Sequence, residues 1–202
     1  MLRVGLTGGL ASGKSHVGKL LEDMGCLLIK ADDLGHETLR PSGEAHAAAV
    51  KEFGPAILNA DGSIDRKKLG AIVFADRAKL DRLNAIVHPA VRRLSDRLMG
   101  EYAAFHPRGI AVYEAAILIE TGGHKNFDRL ILAACGEEQQ VERAMKRDGA
   151  SRESVLARLA QQMPLRDKVA FADHVIDTSG SLQHTLEQTR AVYELLRSEH
   201  EG

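Results

Sequence analysis

Cysteine is nearly missing from this chain, and so is any excess of charge of one sign. Only Cys26 and Cys135 occur among the 202 residues. Both sit among apolar neighbours without metal-type spacing, so two buried free thiols in a reducing compartment are expected rather than a disulfide framework. Lys and Arg number 27 against 28 Asp and Glu, a net charge of −1. No global basic field exists to gather nucleic acid or an anionic membrane surface, so neither is expected as a partner. No apolar run reaches membrane-spanning length. The first residues lead directly into an apolar stretch and a glycine-rich loop, with no signal-peptide pattern, and a cytoplasmic protein is the expectation. Internal repeats and low-complexity segments are missing too. What remains is an ordinary soluble composition, 44% hydrophobic and 27% charged, long enough for one domain or for a core with inserted subdomains.

Against these absences one stretch stands out. Gly8-Gly9-Leu10-Ala11-Ser12-Gly13-Lys14-Ser15 fits G-x-x-x-x-G-K-[ST], a loop whose backbone amides wrap a phosphate chain while the lysine neutralises it. Leu2 to Thr7 ahead of it reads as a buried strand. Behind it Val17, Leu20, Leu21 and Met24 recur at helical spacing until Gly25 supplies a stop. Strand, loop, helix is the context that the motif needs. Lys14 is then expected at the β- and γ-phosphates, Ser15 at a magnesium ion, and the positive end of the helix adds to the anion site.

Cys26 to Ile29 is a second short apolar run, ending in Lys30-Ala31-Asp32-Asp33. In an open parallel sheet the carboxyl ends of the strands line the ligand crevice, which is where Asp32 is expected. From Leu34 to about Tyr102 helical patterns alternate with turns (Pro41-Ser42-Gly43, Asn59-Ala60-Asp61-Gly62) and no period-two strand pattern appears. This reads as a helical insertion and a platform for a second substrate. Gly109 to Ile119 is one strand, or a strand followed by an apolar turn, ending between Glu114 and Glu120. Leu130–Cys135 and Asp173–Asp177 read as two more strands. Helices are expected from Glu137 to Arg147, from an N-cap at Ser151 through Leu159, and from Ser181 to Arg197.

The chemistry-bearing side chains outside the loop are each open to two readings. Asp32 can orient and deprotonate an attacking hydroxyl, as an acidic base does in phosphoryl transfer, or it can cap a turn after its strand. Arg143 and Arg147 lie at i, i+4 and precede the basic Arg158, Arg166 and Lys168. Such groups on a mobile segment stabilise developing phosphoryl charge as a lid, or they form a solvated helix face. His88-Pro89 is a substrate contact or a kinked helix junction. Glu120 binds substrate or marks a strand's exit into solvent.

Taken together these residues resemble the dephospho-CoA kinase family over nearly the whole chain. The resemblance rests on Leu6-Thr7-Gly8-Gly9 running into the loop, Ala31-Asp32, Gly62-Ser63-Ile64-Asp65-Arg66, His88-Pro89 and Ile117-Leu118-Ile119-Glu120. It continues through Phe127-Asp128, Arg143 with Arg147, Arg158 with Gln162, and Lys168 followed by Ala172 to Asp177. The loop alone is generic, whereas the ordered set across 6–180 is much more specific. The resemblance implies an α/β fold, a P-loop NTPase-type parallel sheet flanked by helices, with a helical substrate-binding insertion and a lid. The implied core is 1–33, 109–142 and 172–202, the CoA-binding insertion 34–108 and the lid 143–171. It also implies transfer of the γ-phosphoryl of ATP to the ribose 3′-hydroxyl of dephospho-CoA with Mg²⁺. Asp32 and Lys14 would then be catalytic, and Gly9, Leu10, Ala11, Ser12, Gly13, Lys14, Ser15, His16, Arg143 and Arg147 would bind ATP. Asp32, His88 and Glu120 would bind the acceptor, Arg158, Gln162 and Lys168 would belong to the lid, and Ser15 would hold Mg²⁺. A monomer or weak homo-oligomer is expected.

The chain departs from the family pattern at four positions. Lys30 stands where Asp is common, His16 replaces Thr, Ala116 replaces Pro, and Thr178 takes the place of a common Asn. None of these removes Lys14, Ser15 or Asp32. Three rival readings share the loop: a P-loop kinase acting on a nucleoside or nucleotide, a nucleotide-binding switch, and a CoA-binding homologue weakened by Lys30. Against the switch, no Asn-Lys-x-Asp guanine-reading stretch is present.

Overall fold

The computed structural model describes residues 1–201 and the side chains of residues 1–199. In chain order the elements are β1 (Leu2–Gly8), α1 (Lys14–Asp23), β2 (Leu27–Lys30), α2 (Ala31–Thr38), α3 (His46–Phe53), α4 (Arg66–Phe74) and α5 (Arg77–Phe105). Then follow β3 (Ile110–Glu114), β4 (Arg129–Ala134), α6 (Glu137–Asp148), α7 (Arg152–Leu159), α8 (Leu165–Lys168), β5 (His174–Asp177) and α9 (Leu182–Glu201). The chain divides into two compact units, one made of Met1–Lys30 with the chain from Tyr102 onward, the other of Ala31–Glu101.

The first unit is a five-stranded parallel sheet in the order β2-β3-β1-β4-β5. Parallel strands covered on both faces read as nearly continuous apolar runs, and β1, β3 and β4 do so. Side chains alternate between faces, so Leu2, Val4 and Leu6 of β1 point the same way. They join Val17 and Leu21 of α1, Val192 and Leu196 of α9, and Ile110, Val112, Ile131 and Ile176 in one core. The opposite face carries Leu118, Ile119 and Leu130 with Phe127. A third cluster, Val141, Ala144 and Val155, packs against Leu10 and Ala11, so the glycine-rich loop itself rests on α6 and α7.

Of the two readings of 109–119, the strand followed by a turn is the one observed. β3 stops at Glu114, and the next amide, that of Ala115, bonds to Leu6 O. The chain then leaves the sheet and folds Leu118 and Ile119 over its face. Cys26 is buried and free as expected, but Cys135 is only half-buried. It lies one residue past the end of β4, where Gly136 begins the turn into α6.

The second unit is helical, built on Ala49, Ile57, Ile64, Leu69 and Val73. The stretch Gly62 to Arg66 has a local explanation there. Asp61 accepts bonds from the Ser63 amide and hydroxyl, Ile64 enters the core, and Asp65 caps α4 by accepting from the amides of Lys67 and Lys68. α5 runs through Pro89 rather than ending there, because the next two residues, Ala90 and Val91, are buried and anchor the following turn. His88 is therefore an exposed residue inside a 29-residue helix and not a junction.

Leu21 is fully buried between helix and sheet. Leu21→Ala should lower unfolding free energy by about 2–5 kcal/mol in urea titration, the range for a leucine cavity that neighbours cannot fill.

Candidate active site

The loop between β1 and α1 is shaped by its backbone. Gly13 lies at φ 83°, a left-handed conformation that side chains rarely adopt, and a Cβ there would approach Thr178 to 3.0 Å. Gly13 O accepts from the amides of both His16 and Val17. The amides of Gly13, Lys14 and Ser15 meet no acceptor among the described residues. They are the free donors of a helix start, the arrangement that binds phosphate. Ala11, at φ 54°, is the one non-glycine residue with positive φ among the described residues.

The charge at the centre comes from a residue that sequence reasoning passed over. Glu114, at the carboxyl end of β3, is 5% exposed and takes both Lys14 Nζ at 2.6 Å and Ser15 Oγ at 2.7 Å on Oε1. Its Oε2 is buried without a partner. Gly18 makes room for this carboxylate, since a Cβ there would lie 2.9 Å from Oε2. A lone acid closing an apolar run, with a glycine one helical turn beyond the loop lysine, was the available signal. No cluster of three or more His, Cys, Asp or Glu capable of holding a metal exists among the described residues. A hard cation would have to take the Ser15 hydroxyl and the Glu114 carboxylate and complete its shell from phosphates and water, which is how magnesium is commonly held. The donor set fits that ion.

The remaining expected site residues fall into three groups. The first braces the loop. Gln162 Oε1 accepts from the Leu10 amide at 3.0 Å, Gln140 Nε2 donates to Leu10 O at 2.7 Å, and Thr178 Oγ1 donates to Ser12 O at 2.6 Å. Gln140 was not anticipated, and nothing in its sequence context marks it. The second group is tied up by local partners. Arg143 donates to Thr178 O, while Arg147 and Arg158 share the carboxylate of Asp148. The third is an ion pair with one partner buried: Lys168, fully enclosed, lies 2.9 Å from the more exposed Glu120, which also accepts from the Met163 amide. Lys168, a lid residue by the family resemblance, and Glu120, an acceptor-side residue by the same resemblance, are thus paired with each other, and Lys168 also donates to Ala116 O. His16 is half-buried, with Nε2 enclosed and unpartnered.

Asp32 belongs to the helical unit, in the first turn of α2, and is exposed. It makes no capping bond to a backbone amide among the described residues, so the turn-capping alternative is not what the structure contains. Lys30 ends β2 directly across from Glu114 in the register. The thiols are poor nucleophiles, since burial pushes Cys26 up to about 12 and also raises Cys135.

Beside the loop lies a cavity of about 790 Å³, lined by Gly9, Cys135, Gln140, Leu156, Gln162 and Met163 among others. It falls in the size range of sites for ligands as large as a nucleotide.

Two outcomes follow from these charges. Glu114→Gln keeps the shape but replaces the ion pair with an amide, and should cost about 1–3 kcal/mol of stability in urea titration. Arg147 and Arg158 hold the Asp148 carboxyl well below its ordinary 3.8. A depressed folded value gives stability that is complete above the unfolded value and lost as pH falls through the folded one. Amide exchange over residues 143–160, corrected for intrinsic rates, should therefore rise on acidification below about pH 4 in the wild type. Asp148→Asn should already exchange faster at pH 7.

Comparison with known proteins agrees with this architecture. A curated dephospho-CoA kinase of Geobacter sulfurreducens is 46% identical over 178 residues, covering 88% of this chain and 90% of the relative. That of Aquifex aeolicus is 40% identical over 97% of this chain and 98% of its own length. Among solved structures, a Thermus thermophilus protein superposes with a TM-score of 0.81 at 34% identity, covering 98% of this chain and 97% of that one. The dephospho-CoA kinase from Campylobacter jejuni gives 0.72 at 25% identity, with 98% of both chains covered. A shikimate kinase from Acinetobacter baumannii, at 14% identity and a TM-score of 0.56, shares the fold. The dephospho-CoA kinase family pattern matches residues 2–184, and the chain belongs to that family.

Proposed function

We propose that this cytoplasmic enzyme transfers the γ-phosphoryl group of ATP to the ribose 3′-hydroxyl of dephospho-CoA, giving CoA and ADP. The observation that carries the proposal is the convergence of Lys14 and Ser15 on the buried Glu114 carboxylate, beside the free amides of Gly13, Lys14 and Ser15. Membership of the family supplies the acceptor.

In the reaction the 3′-oxygen attacks the γ-phosphorus, the bond from that phosphorus to the β,γ-bridging oxygen breaks, and the hydroxyl proton passes to Asp32. The free amides of Gly13, Lys14 and Ser15 bind the phosphate oxygens, and Lys14 leaves Glu114 to follow the charge that develops on them. Ser15 and Glu114 are the residues that would hold Mg²⁺, whose chemistry is to neutralise the β- and γ-oxygens. Asp32 is the base because it is an exposed carboxylate without a structural bond, two residues beyond the strand that pairs with β3. The helical unit, with His88 exposed on α5, is the acceptor platform. Arg143 and Arg147 serve ATP after exchanging their present partners, Thr178 O and Asp148, for phosphate oxygens.

A coupled assay for ATP-dependent formation of CoA from dephospho-CoA tests the reading, with nucleosides and nucleoside monophosphates as competing acceptors. Phosphorylation of dephospho-CoA alone is expected, and the reverse preference defeats the proposal. Asp32→Asn should lower kcat by about 10²–10⁴-fold, the contribution of a positioned general base. Turnover equal to wild type would remove Asp32 from that role.

A further inference from the structure

A loop that turns amides toward a phosphate turns carbonyls away from it, and buried carbonyls need donors. Here three alternate carbonyls are satisfied by side chains from the last third of the chain: Leu10 O by Gln140, Ser12 O by Thr178, and Gly8 O by Lys168. The third differs in kind. Lys168 is wholly buried, and its Nζ lies 2.8 Å from Ala116 O, 2.9 Å from Glu120 Oε1 and 3.4 Å from Gly8 O. An ammonium group has three protons, and here it meets three acceptors.

We propose that Lys168 is a positioning residue for ATP. It ties the first glycine of the phosphate loop to the turn after β3 and to Glu120. Through the Glu120–Met163 bond it also ties the loop to the wall of the adjacent cavity. An ion pair with one partner buried is weak evidence for stability, because desolvation of the buried charge offsets much of the attraction. The acceptors of Lys168 instead share one feature: each sits on a segment that borders the phosphate loop or the cavity. The role of this charge is to hold the cradle in shape before the nucleotide arrives, so that binding does not have to order it. Lys168 then acts through Gly8 and Glu120 and does not itself touch the phosphates. This inference rests on the ATP-dependent reading above.

Direct ATP binding by calorimetry, together with steady-state kinetics, separates the two ideas. Wild-type protein that binds no ATP defeats the function reading before any variant matters. If wild type binds, Lys168→Met should raise the ATP dissociation constant and the KM for ATP by at least about tenfold, given what small misplacements cost. The KM for dephospho-CoA should stay within about twofold. Glu120→Gln, whose single amide oxygen can still accept from both Lys168 and the Met163 amide but which loses the charge, should shift ATP affinity the same way by a smaller factor. The double variant should match Lys168→Met alone, because the two act as one unit. Melting temperatures ensure that every assay is made on folded protein, and Lys168→Gln replaces the methionine variant if that one does not fold. Unchanged ATP affinity in the folded variants overturns the inference. So does a selective rise in the KM for dephospho-CoA in Glu120→Gln, which would assign that carboxylate to the acceptor.

Discussion

The constraint on which the first unit depends is the two-sidedness of the peptide group. Amides of the loop from Gly8 to Ser15 can face an anion only if the carbonyls find partners behind them. The fold supplies those partners from far along the chain, on α6, α8 and the residue after β5. This explains why the last third of the sequence must fold back beside the first strand. Strand order follows the same demand, since β1 lies between β3 and β4 and brings the loop within reach of both. The apolar side chains of Leu10 and Ala11 complete the contact by packing onto α6 and α7.

Charge is handled just as economically. Among the described residues the unit buries two ionic groups, Glu114 and Lys168, and each has an oppositely charged partner nearer the surface, Lys14 for the first and Glu120 for the second. The two pairs do different work. Lys14 has a hydroxyl and a half-satisfied carboxylate for company, an arrangement that can open when a phosphate offers more charge. Lys168 is fully buried and meets two backbone carbonyls and the Glu120 carboxylate. Position in the fold, and not residue type, separates a lysine that faces the loop's free amides from one enclosed behind the loop's carbonyls. The surface arginines on α6 and α7 are a third case, held by Asp148 in a solvent-exposed pairing that is weak enough to exchange.

Much of this was legible beforehand. The strand–loop–helix at the start of the chain, the helical middle and the later strands all announced themselves through periodicity and punctuation, because those signals are local. Lys14, Ser15 and the other loop residues were legible for the same reason. Glu114 was not, although it ends an apolar run as plainly as Glu120 does. The sequence contained two candidate strand ends, and only the bond from the Ala115 amide to Leu6 O decides between them. Gln140 and Thr178 carry no chemical signature, since a glutamine on an amphipathic helix and a threonine after a strand look like surface residues until the loop is laid beside them. Cys135 shows the converse: apolar neighbours in sequence suggested burial, and the end of a strand left it half exposed.

By itself the sequence determined that this chain builds a phosphate cradle on a parallel sheet with a helical unit attached, and its ordered motifs carried the family likeness. Spacing along the chain is enough for this, because glycine conformations, strand runs and helix faces are properties of neighbouring residues. Tertiary structure alone decided which carboxylate faces Lys14, which side chains hold the loop's carbonyls, and that Lys168 is buried against Gly8 O, Ala116 O and Glu120. Those outcomes depend on where distant segments meet and on how little water is left between them, and neither is written in the spacing of residues.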